Sequence, residues 1–232
     1  MKQKMPIEYH VIKSGRKTVL ITINEHAEVI VRAPWRVSEG QLRAIVEEKQ
    51  DWILKKRQEI QDRNEKRQPR TYGSGLQCPL YGRAYELDIL ENANLNICKI
   101  HTEGARLILE GPVKEEEQVR ELLREWYIRQ AREIFAQQAA YYAASMGVSY
   151  GTIRIREQKT RWGSCSSKGN LNFNWKLLLA PPRVLDYVVV HELSHLKHMD
   201  HSPNFWNCVR EVLPEFEEQR RWLREHGREL EW

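Results

Sequence analysis

The chain contains no run of apolar residues approaching the 20 or so needed to cross a bilayer. Its opening, Met1 to His10, is polar and mixed in charge, so no secretory signal core is expected there. Cysteine is scarce: four in 232 residues, at Cys78, Cys98, Cys165 and Cys208. None makes a C-x-x-C pair, which argues against a cysteine zinc site or a redox dithiol. Free thiols in a reducing, cytoplasmic compartment are the expectation. A phosphate-cradling glycine loop, an internal repeat and a low-complexity tract are also missing.

What is present is enough for a folded, soluble chain. Eight Trp and nine Tyr supply large surfaces to bury, and 30% of the residues are charged. The net charge of +5 is modest and its cations interleave with anions. A clustered basic stripe would signal nucleic acid. Without one, a solvated surface is favoured and a nucleic-acid partner is not.

The hydrophobic periodicity predicts an α+β fold. Thr18–Ile23 and Glu28–Ala33 read as a hairpin around 24–27. Ser38 with Gln41 is a capping-box signature for a helix carrying Leu42, Ile45, Val46, Trp52, Ile53 and Ile60. Short strands are expected at Tyr85–Leu90, Leu95–His101 and Arg106–Glu110, closed by Gly111-Pro112. A long helix follows from Lys114 to Met146, with Gly147 as its C-terminal cap. Strands at Thr152–Arg156 and Leu171–Trp175 flank a Gly/Ser-rich loop, and a further helix starts at Pro181. The expected organisation is a β-rich region with one helix over 1–112 and a second region over 113–232, which holds the residues of the motif below.

Chemistry concentrates at His191-Glu192-Leu193-Ser194-His195. Residues four apart on a helix share a face, so His191 and His195 can converge on one metal ion, with Glu192 near enough to reach a water. Three protein ligands would leave a fourth position open for that water, the pattern of a catalytic rather than a structural zinc. The expected cofactor is one Zn²⁺, another divalent ion being possible. For the third ligand, a continuing helix would carry His198 about 10 Å along the axis from His191, at 1.5 Å per residue. Ser202-Pro203 looks like the start of a new helix, so the chain should break around Met199–Asp200 and swing His201 back. His201 is therefore preferred over His198, Asp200 or a more distant Glu.

These residues lie within a longer pattern. Lys159-Thr160-Arg161-Trp162-Gly163-Ser164-Cys165-Ser166, Gly169, Leu171, Asn174-Trp175, Leu185 to His195, and His201-Ser202-Pro203-Asn204-Phe205-Trp206 resemble the YgjP-like metallopeptidase family, a group related to the SprT/WLM-type zincins. The resemblance is specific over Lys159–Trp206. It implies a minimal zincin-like catalytic domain with His191, His195 and His201 as ligands and Glu192 as general base. The spacing to the third histidine also matches metzincins. Those carry glycine where this chain has His198, and a downstream Met-turn, whereas no methionine follows Met199 here.

Around this core, Lys159, Arg161, Trp162 and Asn174 are candidate substrate-binding residues. Arg161 or Lys159 could meet a carboxylate or phosphate, and Leu171–Trp175 could hold a peptide as an exposed edge strand. Against this, Trp162 could be core and Asn174 could satisfy backbone groups. Asp186 reads as a surface charge, and Tyr187 as either packing or an oxyanion donor. Trp206, Val209, Leu213, Phe216 and Trp222 read as core. The favoured function is a zinc metallopeptidase acting on a peptide or protein. The alternative is a metal-dependent nucleotide pyrophosphatase or phosphohydrolase using the same site, with Lys159, Arg161, Lys168 and Lys176 on the phosphates. A binding module built around a structural zinc is a third option.

Overall fold

Short β-branched segments and one amphipathic helix pair make up the first part of the chain. The computed structural model describes residues 7–24, 26–66, 71–158, 160–230 and 232. Strands β1 (Tyr9–Ser14), β2 (Leu20–Ile23) and β3 (Val29–Pro34) form a sheet in the order β1-β3-β2. β2 and β3 are the predicted antiparallel hairpin, while β1 runs parallel to β3. Helices α1 (Glu39–Glu48) and α2 (Gln50–Lys66) replace the one helix expected, with a break at Lys49. The capping box is formed in full: the Gln41 N–H donates to the Ser38 hydroxyl, and the Ser38 N–H donates to the Gln41 side chain. Val29, Val31, Leu42, Val46 and Ile53 are the buried core of this unit.

The chain divides into two compact units, 1–70 and 71–232, and not at 112/113 as the sequence suggests. Gly111-Pro112 reads as a boundary but is the tightly packed end of a strand. Gly111 has φ +151°, and a Cβ there would lie 2.8 Å from the Cys98 Cα. Residues 71–112 therefore belong with the C-terminal half of the chain, and their apolar side chains enter its core. Parts of the expected linker, 67–70, lie outside the described residues.

In this second unit, β4 (Gln77–Leu80), β5 (Arg83–Glu91), β6 (Lys99–Glu103) and β7 (Arg106–Gly111) form a mixed sheet in the order β4-β5-β7-β6. The long helix α3 (Glu116–Met146) ends at Gly147, whose φ of +63° suits a residue without a Cβ. Its buried face carries Leu123, Tyr127, Phe135 and Ala139. Leu87, Leu107 and Leu109 join the same core. Beyond α3, β8 (Ile153–Arg156), β9 (Gly163–Cys165) and β10 (Leu171–Asn174) form a second sheet, ordered β8-β10-β9. Phe173 of β10 stacks on Phe135 with ring centroids 4.5 Å apart.

A short 3₁₀ turn (Trp175–Leu179) leads into α4 (Pro182–Ser194), with Pro182 at its first position. Val188, Val189 and Val190, β-branched and poor helix formers, are all buried. Tertiary packing supplies what local propensity withholds. α5 (Pro203–Val212) and α6 (Phe216–His226) complete the unit. The fold is α+β, with its sheets earlier in the chain and its helices later. Among the described residues, no helix is long and apolar enough to cross a membrane.

Candidate metal centre

α4 brings His191, Glu192 and His195 to its C-terminal end. Its regular turns stop at Ser194, earlier than the break expected at Met199–Asp200. His195 is the C-cap and keeps near-helical dihedrals (φ −64°, ψ −18°), so the four-residue spacing from His191 survives. The amides of Lys197 and His198 then both donate to the Ser194 carbonyl, curling the chain away from the helix axis. The Asp200 carboxylate accepts the Ser202 N–H at 3.3 Å, and α5 begins at Pro203. This tight reversal returns His201 to His191, Nε2 to Nε2, at 3.1 Å.

One ligand nitrogen from each of His191, His195 and His201 lies within 4.8 Å of the other two. Tetrahedral ligands about 2.0–2.1 Å from a zinc ion stand roughly 3.4 Å from one another, so this spacing fits a shared ion. The ring orientations agree. His195 Nδ1 lies 3.1 Å from the His198 carbonyl, an arrangement that places its proton there and leaves Nε2 free as a ligand. His198 thus contributes its backbone, not its ring. Burial, reinforced by the neighbouring His195, His201 and Arg220, pushes His191 down to about 3, so its imidazole is neutral as a metal ligand must be. Phe205 forms the floor, with its ring centroid 4.6–4.9 Å from all three imidazoles.

Glu192 is 5% exposed. Burial drives its carboxyl up to about 7, opposed by the Cys165 backbone N–H and by the charge of Arg161. It lies against β9: a Cβ on Gly163 would come within 2.6 Å of Glu192 Oε1. A carboxyl poised near neutrality beside three convergent imidazoles is suited to taking and returning a proton.

Arg161 and Trp162 line a cavity of about 350 Å³ that has Glu192 and His191 on its wall. Lys159 lies outside the described residues. Asn174 is buried and does not line that cavity. Its amide donates to the carbonyls of Gln158 (2.9 Å) and Arg161 (3.4 Å), and its oxygen accepts the Lys176 N–H. It organises the loop that presents Arg161. The edge-strand expectation changes too. Leu171–Asn174 is the central strand of its sheet, paired on both sides, and β9 is the edge beside α4.

Asp186 is half-buried and accepts the Tyr81 hydroxyl at 3.2 Å, so it ties the β4–β5 turn to α4. Tyr187 packs: its ring stacks on Phe216 and stands edge-on to His191. Phe205 stands in the family-like pattern without a role of its own, and nothing in the sequence singles out the arginines of α6. Arg220 and Arg224 line the cavity beside Glu192. Their four-residue spacing in α6 is the one local signal they carry. Trp206, expected as core, is only partly buried and stacks on His201.

An α+β fold that gathers three histidines at the end of one helix and the start of another is found together here with a family match. The YgjP-like, metallopeptidase domain pattern matches residues 17–226. The chain belongs to the YgjP-like metallopeptidase family. Among solved structures, it is similar to the metallopeptidase zymogen abylysin of Pyrococcus abyssi, at 24% identity and TM-score 0.37, over 39% of this chain and 93% of that one. It is likewise similar to the zymogen jannalysin of Methanocaldococcus jannaschii, at 21% identity and TM-score 0.36, over 39% and 94%. No curated protein matches.

Proposed function

We propose that the chain is a zinc-dependent peptidase in which His191, His195 and His201 hold one ion and Glu192 is the general base. The observation that carries this reading is the convergence of the three imidazoles beside a buried carboxyl, in a chain of a metallopeptidase family. When bound, zinc supplies a Lewis acid for the peptide carbonyl and makes water acidic enough to ionise near neutral pH.

The chain's own residues do the rest. Glu192 accepts the proton of the attacking water on a carboxylate oxygen and returns it to the departing amine. Gly163 leaves room for that carboxyl, and the Cys165 N–H holds it. The His198 carbonyl fixes the His195 ring, and Phe205 keeps the floor of the site apolar. The edge strand β9 offers backbone groups to an extended peptide. The four free cysteines accord with a reducing, cytoplasmic location.

The phosphohydrolase reading gains less support. Of its four cations, Lys176 is paired with Glu157 at 3.2 Å, and Lys168 does not line the cavity beside Glu192. Arg161 is the one that does among the described residues.

Metal replacement tests the reading. Chelation should abolish peptide cleavage and one equivalent of zinc per chain should restore it. Full cleavage by the metal-free protein would refute it.

A further inference from the structure

The cavity beside Glu192 is unusual in its charge. Arg161 enters it from the loop before β9, and Arg220 and Arg224 enter from successive turns of α6. Glu192 is, among the described residues, the only carboxylate on its wall, and that group is buried. Among the described residues no carboxylate lies within ion-pair distance of Arg161 or Arg220, and Arg224 reaches only the exposed Glu225, at 3.9 Å. Surface arginines usually find a carboxylate or extend into water. Arg220, although exposed, lies over the Trp206 ring, 4.6 Å from its centroid, and Trp206 also makes stacking contacts with Phe216 and with His201. The ring contact orients the guanidinium, and among the described residues no protein acceptor takes its hydrogen-bonding edge.

We infer that this cavity is a specificity pocket for a substrate carboxylate, bound by Arg220 and Arg161 within one or two residues of the bond to be cut. The inference rests on the peptidase reading and names its substrate class: peptides bearing an acidic group near the scissile bond. A guanidinium presents paired N–H donors that match a carboxylate in two parallel hydrogen bonds. The cavity holds about 350 Å³, and each residue of extended chain spans roughly 3.3–3.6 Å. With Glu192 on the wall, a side chain one or two residues from the reacting carbonyl falls within its compass. Trp162 and Tyr187 give it apolar sides, beside arginines that are themselves solvent-exposed and so open to an incoming substrate group. Two sources offer that carboxylate, an acidic side chain or the free C-terminus of a peptide.

The test compares kcat/KM of the zinc-loaded full chain on three matched peptide sets. One carries Glu scanned through each position with an amidated C-terminus, one carries Gln at the same positions, and one has a free C-terminus and no acidic residue. The expected result is at least tenfold preference for Glu over Gln at one position, or for the free over the amidated terminus, which identifies the source. In Arg220→Gln and in Arg161→Gln the preference should fall to twofold or less through KM, with zinc content unchanged. Arg220→Glu should turn the preference toward Lys at that position. Cleavage of all sets at equal rates by the wild-type chain would overturn the pocket and leave the peptidase reading standing. Absence of any cleavage would overturn both. Competition by inorganic phosphate at concentrations where acetate has no effect would also overturn the carboxylate assignment.

Discussion

Gly163 and Glu192 touch so closely that no side chain fits between them: a Cβ at 163 would stand 2.6 Å from Glu192 Oε1 and 2.9 Å from its Cδ. The glycine on the edge strand and the carboxyl on the helix therefore form one unit. Gly163→Ala is expected to displace the carboxyl while leaving the three histidines in place. A displacement near 1 Å at a reacting group costs on the order of 100-fold in rate. The expected outcome is a drop of that size in kcat with zinc stoichiometry unchanged, measured by metal analysis and steady-state cleavage. Unaltered turnover would show that Glu192 does not need this position.

The histidine cluster makes a discriminating pair of substitutions. His201→Ala removes a ring nitrogen from the cluster, whereas His198→Ala keeps the backbone carbonyl that meets His195. Zinc affinity should fall by roughly 100-fold or more in the first, beyond the 10–100-fold typical of lost outer-shell partners, and by less than about threefold in the second. Competition with a chromogenic chelator reads both. Equal losses would assign His198 a ligand role.

Asn174 acts on the loop and not on the metal. Asn174→Ala leaves the Gln158 and Arg161 carbonyls and the Lys176 N–H without their partner. These three hydrogen bonds are part-buried, and each one lost costs about 0.5–1.5 kcal/mol. A loss of roughly 2–4 kcal/mol in denaturant unfolding is expected, with zinc affinity nearly unchanged. A fully stable variant would contradict the hydrogen bonding described.

Asp186 supplies a pH prediction. Burial raises its carboxyl above the ordinary 3.8, against the lowering effects of the Tyr81 and Tyr142 hydroxyls and of Arg183. The folded state therefore binds this proton more tightly than the unfolded state does. That contribution to stability is complete below 3.8 and is lost as pH rises through the raised value. Asp186→Asn, which keeps an oxygen for the Tyr81 hydroxyl, should be relatively more stable than wild type at neutral pH than at pH 3. Unfolding midpoints of both proteins across that range measure it. A difference independent of pH would refute the sign.

Much of the fold and of the site is legible in the sequence because the relevant signals are local. The Ser38/Gln41 box, the Gly147 cap, the proline start of α4 and the five-residue histidine motif each depend on neighbours a turn apart. The β1 strand escapes a local reading because its parallel partner β3 lies some 20 residues away. Likewise, Leu171–Asn174 reads as a strand, but whether it is central or at the edge depends on pairings with β8 and β9. The division of the chain is hidden for a related reason, since a Gly-Pro pair looks the same in a linker and at a crowded strand end. Arg220 and Arg224 lie some 30 residues beyond the motif on a polar helix. Only the packing of α6 beside α4 brings them to the cavity.

The most direct test of the central claim is a digest of one mixed peptide library by the zinc-loaded protein and by Glu192→Gln, read by mass spectrometry, with zinc content determined on the same samples. The variant should keep its zinc and lose cleavage by at least about 100-fold, as expected when a positioned general base is removed. Cleavage by the variant at the wild-type rate, with zinc retained, would contradict the claim.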